Sequence, residues 1–287
     1  MMQAAQEFHW HNENGNRIYA VDWPVAEARA VIGLVHGVGE HCRRYDDMVD
    51  WFRARGIACV GYDRQGYGQS EGRRGYAKNY KEFVDEIATL TVECERRYKD
   101  TPVFLYGHSM GGHLLLRYLI RRHPRISGAI LSAPHIQLAF QPNPLLVGLG
   151  KAFRTIFPTF TQSSALDLSQ LSRSPEVQAK YEQDPFVHDR LTSRTGIDIL
   201  ENADALNAWT GELPVPSLLM HGSADGLTSF DASAAFAARN PTNLTWKEWP
   251  GLYHELHHEP EREEVFAYVL AWMEERMDNV HRSPKSV

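Results

Sequence analysis

The sequence around Ser109 is the one that most directly suggests a catalytic residue. Residues 103–112 read Val-Phe-Leu-Tyr-Gly-His-Ser-Met-Gly-Gly, so Ser109 stands between Gly107 and Gly111. An apolar run precedes it and a helical pattern follows at 114–120. A serine on a tight strand-to-helix turn exposes its hydroxyl, and the helix N-terminus directs N–H groups towards a developing anion. The pattern therefore predicts that Ser109 is a nucleophile.

A serine nucleophile needs a general base that is itself oriented by an acid. Residues 217–225 read Ser-Leu-Leu-Met-His-Gly-Ser-Ala-Asp, where an apolar strand and a glycine turn lead to Asp225. We predict Asp225 as the acid. The alternatives are Asp204, which precedes this strand, and Asp231, which falls in the next predicted helix.

The segment after the last predicted strand contains three histidines. Its sequence His254-Glu-Leu-His-His matches the H-E-x-x-H motif of zinc proteases. That kind of zinc site requires a long helix and a third ligand, but Pro250-Gly251 and Pro260 limit any helix here to about two turns. We therefore interpret His254 as the general base, and we expect neither a metal nor a cofactor.

Acyl transfer also needs two N–H donors for the oxyanion of the tetrahedral intermediate. The backbone amide of Met110, directly after the predicted nucleophile, is one candidate. The loop at 36–40, His-Gly-Val-Gly-Glu, offers the amide of Val38 as the other. Its glycines allow the neighbouring carbonyl groups to turn away from the substrate.

The apolar pattern predicts a scaffold that can position these side chains. Short apolar runs read as strands at 31–35, 57–62, 103–106, 128–131 and 217–220, and residues 244–249 read as the last strand. Helical patterns lie between and after them, at 44–55, 80–98, 110–122, 229–239 and 260–278. Strands that are apolar throughout and alternate with helices indicate an α/β fold with a parallel sheet covered on both faces.

The alternation of strands and helices stops between residues 135 and 211. This segment holds five prolines and no clear strand, and apolar residues recur in it at helical spacing. We predict a helical cap at 135–211 on a core formed by 1–134 and 212–287; an ordinary core helix is the alternative. The apolar stripe expected to line an acyl groove is Leu145, Leu149, Phe153 and Ile156.

The composition narrows the classes of protein that this chain could be. Its 287 residues have a formal net charge of −6 and no basic stripe, which argues against a nucleic-acid partner. Three widely spaced cysteines do not suggest a disulfide framework or a zinc cluster. No secretory signal is recognisable, and no apolar run reaches the roughly 18 residues of a membrane span. We expect a cytoplasmic protein; the oligomeric state stays open.

Several motifs together resemble the monoacylglycerol lipase/lysophospholipase branch of the α/β-hydrolases. They occupy, in chain order, residues 36–45, 66–72, 107–112, 132–134, 221–225 and 251–256. The resemblance implies an α/β-hydrolase fold, with a mostly parallel central sheet and a helical cap. It also implies a cofactor-free esterase that acts on a single-chain lipid, and transient contact of the cap with a membrane surface.

The same resemblance implies residues that hold the glycerol head group. By motif these are Glu40, Arg44, Tyr181 and His257. The implied reaction is cleavage of monoacylglycerol to glycerol and fatty acid through an acyl-enzyme. A lysophospholipase and a short-chain carboxylesterase are the alternatives among enzymes, and a hydrolase-fold protein that binds a ligand without turnover is the alternative outside them.

Overall fold

The predicted site residues follow strands that lie side by side in one sheet. The computed structural model describes residues 3–164 and 166–282. Its strands are, in chain order, β1 (Gln6–His11), β2 (Arg17–Trp23), β3 (Ala30–Val35), β4 (Ile57–Tyr62), β5 (Val103–His108), β6 (Gly128–Ser132), β7 (Thr161–Ser163), β8 (Arg190–Thr192), β9 (Ser217–Gly222) and β10 (Leu244–Trp249). Eight of them form the central sheet in the order β1-β2-β4-β3-β5-β6-β9-β10. The pairs from β4 to β10 are parallel, so these strands end at one edge.

Helices cover both faces of this sheet. The α-helices of the described residues are, in chain order, α1 (Asp46–Arg53), α2 (Tyr80–Arg97), α3 (Met110–Arg122), α4 (Pro144–Ile156), α5 (Pro175–Gln183), α6 (Ser193–Asn207), α7 (Phe230–Arg239) and α8 (Arg262–Arg282), of which α4, α5 and α6 belong to the segment between β6 and β9. Alternate residues of β3 enter different cores, because successive side chains point to opposite faces of a sheet. Val31 and Val35 pack in the core with α2, α3 and α7, whereas Ile32 and Leu34 pack in the core with α1 and α8. The predicted parallel sheet covered on both faces is confirmed.

Two strands of the central sheet are absent from the sequence prediction. β1 and β2 are antiparallel to each other, and β2 is antiparallel to β4. β1 reads Gln-Glu-Phe-His-Trp-His, and none of its residues is fully buried. A search for continuous apolar runs overlooks such a strand, because its outer face is polar.

The segment between β6 and β9 contains α4, α5, α6 and a small sheet. The expectation that it holds no strand was wrong, because β7 pairs with β8 in an antiparallel ladder. The expected apolar stripe was also wrong: Leu145, Leu149 and Ile156 are 79%, 50% and 66% exposed. Another face of α4 lines the cavity described below. In the described part of the chain, no helix combines the length and hydrophobicity needed to cross a bilayer.

Candidate active site

Ser109 lies on the tight turn between β5 and α3. Its φ of 53° is unusual for a residue with a side chain, and its N–H holds the turn by donating to the carbonyl of Ser132 at 3.0 Å. The backbone is crowded here: a Cβ on Gly111 would lie 2.0 Å from the carbonyl oxygen of Val35. The Ser109 side chain makes no capping hydrogen bond to α3. The glycines thus permit a turn that no larger residue could form.

Asp225 and His254 meet at the ends of β9 and β10. The Nδ1 of His254 lies 2.7 Å from Oδ2 of Asp225, and both side chains are buried. The two alternative acids, Asp204 and Asp231, are exposed on α6 and α7. With Nδ1–H donated to the carboxylate, Nε2 of His254 carries the lone pair.

The charges of this pair shift both pKa values. Burial favours the neutral form of Asp225, but His254 and His221 outweigh burial and lower the pKa of Asp225. Burial also disfavours the charged form of His254, but the Asp225 carboxylate outweighs it and raises the pKa of His254 above its ordinary 6.5. The pair therefore favours a proton on His254, as a general base that becomes charged during a reaction requires.

A cavity of about 350 Å³ brings the predicted reacting groups together. Ser109 and His254 line it, and so do Val38 and Met110. Within the described residues, no acceptor takes a hydrogen bond from the N–H of Val38 or of Met110. The remaining wall is largely apolar and includes Leu138, Leu146, Val147, Gly150, Leu191, Ile197, Leu200 and Leu227. Such a space can hold an acyl chain with its carbonyl beside Ser109.

The four predicted head-group residues lie together outside the lining of this cavity. Arg44 donates to Oε2 of Glu40 at 2.7 Å and to both carboxylate oxygens of Glu255 at 2.8 and 2.9 Å. The guanidinium also lies 4.7 Å from the ring centre of Tyr181. His257 stacks on a neighbouring tyrosine, and among the described residues neither of its ring nitrogens has a hydrogen-bond partner. Contact of these residues with glycerol stays a prediction.

Comparisons with known proteins identify the family of this chain. A sequence model of the family described as "Serine aminopeptidase, S33" matches residues 26–261. The monoacylglycerol lipase of Mycolicibacterium smegmatis is 31% identical over 89% of this chain and 92% of its own length. The phospholipase YtpA of Bacillus subtilis is 31% identical over 88% of this chain and 98% of its own length. The chain belongs to the monoacylglycerol lipase branch of the α/β-hydrolases.

Solved structures show that the α/β-hydrolase fold extends over nearly the whole chain. A monoacylglycerol lipase from Paleococcus ferrophilus matches with a TM-score of 0.82 at 29% identity, over 90% of this chain and 99% of that one. The chain also matches, at 31% identity over 92% of its length, an uncharacterized abhydrolase-domain protein of Dictyostelium discoideum, of which it spans only 28%. Family membership alone does not select the substrate, because the family model carries a peptidase's description and the relatives include lipases.

In this α/β-hydrolase, the H-E-x-x-H segment forms only a short 3-10 helix at Leu256–His258. Polar atoms of Glu255, His257 and His258 lie within 4.8 Å of one another, as in a metal site. However, Glu255 pairs with Arg44, and the ring nitrogens of His258 face Glu255 and the Arg44 carbonyl at 2.6 and 2.9 Å. The positive charge of Arg44 opposes a cation here.

Sequence reasoning overlooked three polar residues that hold the site. His221 and Thr228 each approach Oδ2 of Asp225 at 2.9 Å. Arg64, after β4, donates to backbone carbonyls of the loop that contains Val38. His221 lies in the same motif as Asp225 and could have been suspected from that spacing. Nothing in the local sequence connects Arg64 with a loop on the neighbouring strand.

Proposed function

We propose that this chain cleaves monoacylglycerols to glycerol and free fatty acid through an acyl-enzyme on Ser109. The observation that carries the proposal is the apolar cavity, which both Ser109 and His254 line. Asp225 lies outside this lining and contacts Nδ1 of the same histidine. The monoacylglycerol lipase of Mycolicibacterium smegmatis, which this chain matches over 92% of that lipase's length, supports an ester of a single-chain lipid as the substrate. No cofactor takes part in this chemistry.

The proposed reaction has two halves. Ser109 Oγ attacks the ester carbonyl while Nε2 of His254 takes its proton, and Asp225 stabilises the resulting imidazolium. The N–H groups of Val38 and Met110 donate to the oxyanion. When the C–O bond breaks, His254 returns its proton to the departing glycerol oxygen. Water, deprotonated by His254, then attacks the acyl-enzyme carbonyl. When the bond from this carbon to Ser109 Oγ breaks, His254 returns the proton to Oγ, and the fatty acid is released.

We propose that residues 135–211 act as a cap that supplies most of the acyl-binding surface. Leu146, Val147 and Gly150 of α4 and Ile197 of α6 contribute to the cavity wall. Each methylene that leaves water contributes about 0.8 kcal/mol. Turnover is therefore expected to improve with acyl length until the cavity is full. Glu40, Arg44, Tyr181 and His257 remain the proposed neighbours of the glycerol head.

The cap also carries an exposed apolar patch, for which we propose transient contact with a lipid surface. α4 has no buried residue, and its leucines project into solvent. Isolated exposed apolar residues are ordinary on protein surfaces, but a concentration of them indicates an interaction site. We define the patch as the large exposed apolar residues of segment 140–160, which are Phe140, Leu145, Leu146, Leu149, Ile156, Phe157 and Phe160. We also propose that the protein is cytoplasmic and binds transiently to membrane surfaces.

A lysophospholipase is the second candidate, because the Bacillus subtilis relative is a phospholipase by name. The two candidates differ in the head group rather than in the attacked bond. Turnover should therefore be compared on a monoacylglycerol, a lysophosphatidylcholine and an aryl ester with the same acyl chain. Preference for the monoacylglycerol supports the first candidate, and preference for the phospholipid supports the second. A hydrolase-fold binding protein would hydrolyse none of the three.

The test of the mechanism is Ser109→Ala. This variant is expected to lose several orders of magnitude in kcat and all labelling by a fluorophosphonate, because no nucleophile remains. Ser174→Ala is the control, since the Ser174 side chain precedes α5 without making a capping hydrogen bond. It should keep wild-type rate and labelling. Full activity of Ser109→Ala would exclude the proposed acyl-enzyme.

A further inference from the structure

Arg64 is a fully buried cation beside the loop that contains Val38. It follows β4, and its relative exposure is 0%. Its guanidinium donates to the carbonyl oxygens of His36 and Gly37 and lies 5.0 Å from the ring centre of Tyr67. It forms no ion pair with a carboxylate among the described residues. Burial of an unpaired charge is unfavourable, so this arrangement calls for a reason.

The carbonyl of Gly37 receives a second donor from the neighbouring histidine. The backbone N–H of Arg64 donates to Nε2 of His36 at 3.0 Å, so that nitrogen is an acceptor. Nδ1 therefore carries the proton in the neutral ring, and it lies 2.9 Å from the carbonyl oxygen of Gly37. Burial lowers the pKa of His36 well below its ordinary value, which keeps the ring neutral. Two donors thus hold this oxygen on the Arg64 side of the loop.

The planar peptide bond converts this anchoring into an orientation of the Val38 amide. In a trans peptide, the carbonyl oxygen and the following N–H point in opposite directions. Because the Gly37 oxygen faces Arg64, the N–H of Val38 faces away from it. The preceding peptide, between His36 and Gly37, has the same orientation. The carbonyl oxygen of His36 faces Arg64, and the N–H of Gly37 donates to Glu40 at 2.5 Å. Val38 lines the cavity of Ser109, so its N–H is directed to the reacting side.

We propose that Arg64 is a positioning residue that fixes the Val38 amide as an oxyanion donor. A flipped Gly37–Val38 peptide would turn a carbonyl oxygen towards the developing anion and remove one donor. Such a flip would separate the Gly37 oxygen from the buried guanidinium and from His36. Arg64 thus acts on the transition state through the backbone and does not touch the substrate. This inference rests on the proposed acyl-enzyme reaction, because only that reaction forms the oxyanion.

The experiment compares Arg64→Met with a second buried arginine. Arg53, in α1, also donates to backbone carbonyls, those of Gln3 and Pro24, but it does not line the cavity. Arg53→Met removes these interactions together with an ion pair to the exposed carboxylate of Asp50, and it serves as the control for loss of a buried arginine. For each variant, kcat and KM on a short soluble ester, affinity for a trifluoromethyl ketone and melting temperature are measured. The ketone forms a tetrahedral adduct with serine, so its affinity reports on the oxyanion donors.

Arg64→Met is expected to lower kcat by about 10- to 10²-fold, less than the ~10²–10³-fold lost when a donor itself is removed. KM should stay within about twofold, and ketone affinity should fall by the same factor as kcat/KM. Arg53→Met should lower the melting temperature comparably and keep wild-type kinetics. If Arg64→Met does not fold, Arg64→Lys carries the same comparison, because a single ammonium cannot reproduce the guanidinium fork that reaches two carbonyls, and its loss in kcat should be smaller but measurable.

Two results would overturn the positioning role. One is a fall in kcat with unchanged ketone affinity, and the other is an equal kinetic loss in Arg53→Met. Unchanged kinetics in a folded Arg64→Met or Arg64→Lys would overturn it as well. These outcomes differ from failure of the proposed function, in which the wild-type chain itself would hydrolyse no ester and form no adduct.

Discussion

The carboxylate of Asp225 is the group around which the other polar atoms of the site are arranged. Its Oδ1 accepts the N–H groups of Leu227 and Thr228 at 2.7 and 3.0 Å. Its Oδ2 lies 2.7 Å from Nδ1 of His254 and 2.9 Å from Nε2 of His221. A buried carboxylate with this many donors stays ionised. His254 thus faces a fixed negative charge, which sets its proton affinity.

This arrangement predicts the pH dependence of activity. His254 must be neutral to accept a proton, so kcat/KM should rise with pH as the histidine deprotonates. Asp225 raises the pKa of His254 despite burial, and the midpoint should therefore lie above its ordinary value of 6.5. The measurement is a pH–rate profile of kcat/KM on a soluble ester that does not titrate.

Asp225→Asn tests the cause of this shift. The substitution removes the charge that favours the imidazolium but leaves the burial that opposes it, so the midpoint should move to lower pH. The rate at the plateau should fall by about 10⁴-fold, as in serine proteases with the same change. A plateau that is already complete below about pH 5 in the wild-type chain would contradict a neutral histidine base.

At the scale of elements, one ion-pair network joins the two loops of the site. Glu40 belongs to the loop after β3, and Glu255 follows His254 in the loop after β10. Arg44 lies between them and donates to both carboxylates, and these three side chains are at most 7% exposed. Removal of the arginine would leave two buried negative charges without their partner. The network therefore couples the position of the predicted base to that of the oxyanion loop.

We predict that Arg44→Met lowers the free energy of unfolding by about 3–5 kcal/mol, the usual effect of removing one partner of a buried ion pair. Urea denaturation at neutral pH measures this change. Arg43→Met is the control: Arg43 is the neighbouring arginine, and its ion pairs with Glu7 and Asp46 are partly exposed. Its effect should stay below about 1 kcal/mol. Equal effects of both substitutions would argue against the network.

The pH dependence of stability gives a second measure of the same network. Burial raises the pKa of Glu255, but Arg44 and His258 outweigh burial and hold this pKa well below its ordinary value. A carboxyl with a depressed folded pKa stabilises the fold above its unfolded pKa, near 4.3, and this contribution is lost as the pH falls further. The loss of stability in acid should therefore be less steep in Arg44→Met than in the wild-type chain.

The elements differ in how far the sequence determines them. β3, β5 and β9 are buried throughout and each contains a run of apolar residues, because both faces are covered, and this pattern is visible in the sequence. β1 is half exposed and carries no such pattern. α4 has apolar residues around much of its circumference, so periodicity alone cannot decide which face meets the cavity. The neighbours of α4 make that decision, and they come from α6 and the loop after β6.

The same limit applies to the site residues. Ser109, Asp225 and His254 follow strands in a recognisable chain order, so the motifs around them predict that they meet. Thr228 and Arg64 become visible only when the fold brings their donors to Asp225 and to the oxyanion loop. The carbonyls that Arg64 contacts lie 28 and 27 residues earlier, and Thr228 lies three residues after Asp225 but outside the motif that predicts the acid. Residues that support a site are therefore harder to predict than residues that react.

For the molecule as a whole, the reactive edge of the sheet and the exposed apolar patch belong to the same side. Leu146 lines the cavity that contains Ser109 and is also part of the patch on α4. An acyl chain that leaves a lipid surface at this patch would therefore remain in contact with apolar side chains as it enters the cavity. The proposed contact of α4 with a lipid surface would therefore bring the substrate next to the cavity.

We predict that Leu145→Glu weakens binding to phosphatidylcholine vesicles by at least about tenfold, because burial of one leucine contributes about 1.5–3 kcal/mol and the new carboxylate resists transfer. Leu145 is 79% exposed and does not line the cavity, so turnover of a soluble short ester should not change, whereas turnover of a vesicle-borne monoacylglycerol should fall. Val92→Glu is the matched control, since Val92 is 57% exposed on α2, outside the cap. Cosedimentation measures the binding. Equal weakening by both substitutions would mean that added charge, and not the cap patch, governs contact with the lipid surface.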